Sequence, residues 1–142
     1  MWRKVLSRVV AERAPQVRRA FDMMCERSLS RETKGEQLAQ KQMVQEKIAE
    51  SYAKLRMLRL LVLETAWKMD QTSAQECRTD IATVKFTMSR VLREISFDSL
   101  QIHGSLGTTD LTPLQAMYSA APQMGLADGA DEVHQHGATD CG

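Results

Sequence analysis

Residues 40–70 read QKQMVQEKIAESYAKLRMLRLLVLETAWKMD, and the spacing of apolar side chains in this run decides the fold. Val44, Ile48, Tyr52, Leu55, Leu58, Val62, Ala66 and Met69 recur at steps of three and four, the period at which an α-helix presents one face. A half-buried strand needs alternation with period two, and no stretch of the chain shows it strictly. Between Leu55 and Leu63 apolar residues also occur off the stripe. This part of the helix is therefore expected to be covered on two sides, by neighbouring helices or by another subunit.

Upstream, a helix is expected from about Arg3 to Ser30, kinked or restarted at Pro15, because proline lacks an amide donor and crowds the preceding turn. Gly35 closes that unit. Downstream, the polar break Gln71–Glu76 precedes a third helix in which Ile81, Val84, Met88, Val91, Ile95 and Ile102 repeat the helical spacing. Ala82 and Ser99 on that helix are small enough for another helix to come close. Two glycines release the chain from helical geometry over Gly104–Thr109. Thr112, Pro113 and Gln115 then have the pattern of a helix start, with threonine as N-cap, proline first in the helix and glutamine three residues after the cap. From Asp128 the periodicity is lost, and the closing HQHGATDCG of 134–142 has the composition of a frayed tail. The expected fold is all-α, an antiparallel helix bundle of four main helices. It forms one helical domain over 1–135, followed by a disordered tail over 136–142.

Composition narrows the function classes. The 142 residues suffice for one core but not for two or three. With 43% hydrophobic and 26% charged residues, the chain belongs among globular rather than disordered proteins. Nineteen basic and 18 acidic side chains leave a formal charge of +1, which gives no reason to expect nucleic acid as a partner. The longest apolar run, Leu60–Leu63 with Met57 and Leu58 before it, is far below the ~18–20 residues of a membrane span. Cys25, Cys77 and Cys141 are odd in number and form no CxxC pair, which favours a reducing compartment such as the cytoplasm or the mitochondrial matrix. The arginines and lysine of the first twenty residues read as a basic helix face rather than a presequence. No metal site is expected: His134, His136 and Cys141 lack a fourth ligand at a defined spacing.

Three motifs carry a family resemblance. DSLQIHGSLGTTDL at 98–111 resembles the flavin-contacting turn of acyl-CoA dehydrogenases, typically a helix ending in a DALQIxGGxGY-like sequence. Gln101, Ile102, Gly104 and Gly107 match it, while Ser105 stands for the family's second adjacent glycine and Thr108 for its aromatic residue. RSLSRETKGEQLAQKQ at 27–42 resembles the family's RxxFGxxLxxxQ motif, with Arg31, Gly35, Leu38 and Gln42 in place and Lys34 where phenylalanine is usual. YSAAPQMGLADGADEV at 118–133 is similar to the family's YRDARxxxIxEGTxEI-like ending. There Asp128 stands at the catalytic glutamate, Ala130 at a flavin-binding threonine, and Ser119 and Ala120 at an Arg-Asp pair. LADGADEVH also looks like the long-chain branch whose animal members are fused to a kinase-like phosphotransferase domain.

The resemblance implies a cofactor, FAD, contacted by Arg31, Gln42, Gln101, Ile102, Gly104 and Gly107. An arginine suits its pyrophosphate because a guanidinium offers planar paired donors and keeps its charge. It also implies an acyl-CoA thioester substrate, a homodimer or homotetramer, and electron-transfer flavoprotein as a possible electron acceptor. Asp128 inherits the role of base, removing the proton beside the thioester carbonyl. The aspartate side chain is shorter than glutamate by ~1.5 Å, and a misplacement of ~1 Å can cost ~100-fold in rate. Only the last of the family's three structural parts is represented, so the chain alone is expected to lack dehydrogenase activity. Two function classes stand: the C-terminal domain of such an enzyme, or a noncatalytic helical interaction module derived from it.

Overall fold

The computed structural model describes residues 2–73 and 75–126. Four helices account for most of them: α1 (Trp2–Ser30), α2 (Gln42–Gln71), α3 (Arg78–His103) and α4 (Leu114–Leu126). α3 is the hub, packing against each of the other three. Its stripe Ile81, Val84, Met88, Val91, Ile95 and Ile102 is buried throughout, and so are Ala82 and Ser99. α1 contributes Val17, Ala20, Phe21 and Met24 to the core, and α4 contributes Leu114, Met117 and Ala121. The four-helix, all-α expectation holds.

The ion pairs fix how α2 lies on α3. Lys47 bonds Asp98, Lys54 lies 2.8 Å from Glu94, and Lys68 lies 3.2 Å from Asp80. Ascending positions on one helix meet descending positions on the other, so the pair is antiparallel. α4 turns back along α3, with the rings of Phe97 and Tyr118 5.9 Å apart and the Ser89 hydroxyl donating to the Ala121 carbonyl at 3.2 Å.

α2 buries a narrower face than its sequence suggests. Val44, Ser51, Leu58, Thr65 and Met69 are buried, the first four at intervals of seven, and Ile48, Leu55 and Val62 pack partly against the core. Tyr52, expected on the core stripe, is 53% exposed, its ring tilted against Phe21 at 6.1 Å. On the opposite side Met57, Leu60, Leu63 and Trp67 stand open to solvent. The two-sided apolar character is thus real, but among the described residues only one side is covered.

Four local features depart from expectation. α1 is continuous through Pro15, so it is not restarted there. Between α1 and α2 the chain forms a small hairpin of β1 (Glu32–Thr33) and β2 (Glu36–Gln37), pairing Glu32 with Gln37 and Thr33 with Glu36. Lys34 and Gly35 turn it at φ 53° and 83°, the left-handed pair that a two-residue hairpin loop demands; strands this short are invisible to a periodicity argument. Gly104–Thr108 winds into a 3-10 turn rather than an open loop. Finally, α4 starts at Leu114, where the Met117 amide donates to the Pro113 carbonyl at 3.0 Å, one residue beyond the expected start, and the Thr112 hydroxyl donates back to Gly107.

Candidate functional site

The end of α3 is built for a sharp exit. His103 is buried, with Nδ1 2.8 Å from the Ser99 carbonyl; a carbonyl only accepts, so Nδ1 carries the proton. Gly104 follows at φ 65° and ψ −144°, its amide donating to the carbonyls of Leu100 and Gln101. Few side chains tolerate that conformation, and glycine does so freely. Gly107 serves a different purpose. A Cβ there meets the His103 Cβ and the Leu100 carbonyl oxygen at 3.0 Å each, so glycine lets the turn lie flat on the last turn of α3.

Above this turn lies a groove of about 340 Å³ between α3 and α4. Phe97, Leu100 and Tyr118 form its apolar wall, Gly104 and Ser105 its floor, and Gln101, Thr108 and Gln115 its polar rim. The predicted residues Gln101 and Gly104 therefore meet in one concavity. Ile102, by contrast, faces the core at 9% exposure, and Gly107 is buried beneath the turn. Both shape the site from below. Arg31 is exposed at the mouth of the hairpin, its carbonyl accepting the Leu38 amide at 2.9 Å, and Gln42 is exposed at the start of α2. The Lys47–Asp98 bond ties the start of α2 to the end of α3, so Arg31 and Gln42 belong to the same end of the bundle as the groove without lining it. Asp128, and with it His134, His136 and Cys141, lies outside the described residues; so does the expected tail over 136–142.

Sequence reasoning overlooked the aromatic wall. Phe97 precedes Gln101 by one helical turn, and Gln101 precedes Ser105 by another, so the i, i+4 spacing was available as a signal. It also overlooked a second apolar groove of about 400 Å³ between α1 and α2, whose rim carries Arg18, Arg56 and Arg59. Arg18 is engaged by Asp22 at 2.9 Å.

The groove suits part of a dinucleotide. Aromatic and aliphatic walls accept a flat ring, side-chain amides offer donors and acceptors to its polar edge, and a glycine floor leaves room beside the backbone. No charged side chain lines the groove itself. Among the described residues no cluster of histidine, cysteine or carboxylate side chains is arranged to hold a metal, and no helix is long and apolar enough to cross a membrane.

A helix bundle with such a turn is the C-terminal architecture of a flavoprotein oxidoreductase family. Residues 7–137 match the family model described as acyl-CoA dehydrogenase, C-terminal domain, and the chain belongs to the acyl-CoA dehydrogenase family. It is 36% identical over 116 residues to the probable acyl-CoA dehydrogenase FadE2 of Mycobacterium tuberculosis, covering 82% of this chain and 28% of that protein. To acyl-CoA dehydrogenase family member 11 of Rattus norvegicus it is 34% identical, covering 82% of this chain and 15% of the relative. In fold it resembles butyryl-CoA dehydrogenase from Megasphaera elsdenii, with a TM-score of 0.83 at 23% identity over 92% of this chain and 33% of that one. The chain thus spans between about a seventh and a third of the proteins it matches.

Proposed function

We propose that this chain is the FAD-contacting and self-associating C-terminal domain of an acyl-CoA dehydrogenase, an oxidoreductase acting on the CH–CH group of acyl-CoA thioesters in fatty acid β-oxidation. The observation that carries the proposal is the α3 exit, where Gln101 and Gly104 line a groove walled by Phe97 and Tyr118. Arg31 supplies the charge for the pyrophosphate, Gln101 the polar contact, and Gly104 the backbone edge, while Ile102 and Gly107 hold the turn in place and Gln42 belongs to the surrounding rim. The hydride acceptor would be supplied by FAD when bound. Asp128 is proposed as the base that takes the proton beside the thioester carbonyl, in a protein of the cytoplasm or the mitochondrial matrix. The LADGADEVH segment motivates the further proposal of placement in the long-chain branch, with electron-transfer flavoprotein as acceptor.

The test is a titration of FAD into the chain, followed by flavin fluorescence. Saturable quenching is expected, weakened about tenfold, or ~1.4 kcal/mol, in Q101A and R31A. A titration that stays flat, or variants that bind like the wild type, refutes the assignment. The same chain with FAD and a long-chain acyl-CoA is expected to leave the flavin unbleached, because this domain alone does not enclose substrate or exclude water from the reacting centre.

The exposed strip Met57, Leu60, Leu63 and Trp67 favours a second component of the same reading, self-association through α2, since large apolar patches on a soluble chain mark interaction surfaces. A noncatalytic interaction module shares that strip but binds no FAD, so the titration separates the two.

A further inference from the structure

We propose that Thr108, Thr109 and Thr112 form a hydroxyl collar that positions the groove floor, an inference that rests on the FAD-contacting reading above. The three side chains clasp three successive carbonyls of the turn. Thr108 Oγ1 donates to the Ser105 carbonyl at 2.8 Å, Thr109 Oγ1 to the Leu106 carbonyl at 2.7 Å, and Thr112 Oγ1 to the Gly107 carbonyl at 3.3 Å. Thr109 Oγ1 also accepts the Leu111 amide at 3.3 Å, and the Thr109 amide adds a second donor to Leu106 at 3.2 Å. The collar therefore joins the turn to the segment that leads into α4.

Two physical points make this more than incidental bonding. First, Thr112 stands one residue ahead of Pro113, whose carbonyl accepts the first α4 bond, so its side chain belongs to the turn rather than to the helix. Its hydroxyl donates to the Gly107 carbonyl, which anchors the turn to the approach of α4. Second, the turn carries glycine at two of its five positions, Gly104 and Gly107, and glycine loses the most backbone freedom on ordering. Hydroxyls from β-branched side chains, stiff at χ1, restore the definition that the glycines remove. Of the three clasped residues Ser105 belongs to the groove floor, and its carbonyl, held by Thr108, does not swing into the groove. The collar also explains how the turn keeps its shape with Ser105 and Thr108: one of these residues bonds the other's carbonyl.

The variants that test this are the triple valine T108V/T109V/T112V, which keeps the branched shape and removes the hydroxyls, and the triple serine T108S/T109S/T112S, which keeps the hydroxyls. Thr108 and Thr109 are exposed and Thr112 half-buried, so both variants are expected to fold, with melting temperatures close to the wild type. The valine variant is expected to bind FAD about tenfold more weakly, and the serine variant to stay within about twofold of the wild type. Valine binding as tightly as wild type overturns the collar, as does serine failing as badly as valine. Should the wild type itself not bind FAD, the functional reading fails while the collar is still decided by amide hydrogen exchange. Exchange at Ser105–Thr109 is expected to rise about tenfold or more in the valine variant, and unchanged exchange overturns the collar on its own.

Discussion

Replacing Gly107 by alanine tests whether the α3 exit is shaped by close packing. The added Cβ meets the His103 Cβ and the Leu100 carbonyl oxygen at 3.0 Å, and the Leu100 Cα at 3.2 Å. None of these is the free end of a flexible side chain, so the turn has to lift or the last turn of α3 has to give. Overpacking of this kind costs about 1–3 kcal/mol. For a chain of 142 residues the unfolding entropy is about 0.3 kcal/mol/K, so the melting temperature is expected to fall by about 3–10 °C. The control is G35A at the hairpin tip, where nothing lies within 4 Å of the new Cβ and φ is +83°. There the cost is purely conformational, about 1–2 kcal/mol, and the α3–α4 groove is untouched. Thermal unfolding followed by circular dichroism gives the stabilities, and FAD titration gives the groove. G107A is expected to lose both stability and FAD affinity, and G35A only stability. A G107A protein that melts within about 1 °C of the wild type and binds FAD unchanged would refute the packing argument.

Burial, followed by the nearby Asp22 carboxylate, raises the Cys25 thiol above its ordinary pKa, so in a C141S background a thiol reagent at neutral pH should label Cys25 far more slowly than a free thiol. Cys77, 2% exposed, should label more slowly still; fast labelling of either under native conditions contradicts their placement. The hydrogen bond that Lys54 donates to Glu94, opposed by partial burial, raises the Lys54 pKa. Its contribution is therefore fully present below the unfolded value and lost as pH rises through the folded one. E94Q should lower stability by about 0.2–1 kcal/mol at pH 8 for a half-exposed pair, with the gap to wild type closing above about pH 10.5. A gap that persists there excludes the ion pair as its cause. W67E and L60E place charge on the exposed α2 strip, away from the core, and should weaken self-association in sedimentation without shifting the melt of the dilute chain; unchanged association assigns the interface elsewhere.

The helices were legible because each carries a stripe with helical period, and α3, buried on nearly every side, was the clearest. Tyr52 was misplaced because periodicity gives a phase but not the width of the buried face, and here its ring lies at the α1–α2 boundary. The hairpin at Lys34–Gly35 was missed because two paired residues per strand leave no pattern, only a turn. At the site, the motif QIHG singled out Gln101 and Gly104, and the fold brings both into the groove. It gave no means of telling that Ile102 and Gly107 face inward, since that depends on which side of α3 the turn folds over. The threonine collar was out of reach for the same reason: its bonds join residues three to five apart through a turn whose shape was not known.

Lys47, Lys54 and Lys68 stand on α2 and their acidic partners Asp98, Glu94 and Asp80 on α3, and this arrangement has a consequence for assembly fidelity. If α3 slips by one turn in one direction, Lys47 and Lys68 meet Glu94 and Glu76 but Lys54 comes opposite Arg90. In the other, Lys54 meets Asp98 but Lys47 comes opposite Ile102 and Lys68 opposite Val84, so only the native register gives all three lysines an acidic partner. Each bridge alone is worth little, but together they make the misaligned pairings carry repulsion or unmet charge. The charges thus act as an alignment code along a seam whose apolar residues, spaced by whole turns, would otherwise interlock almost as well one notch away.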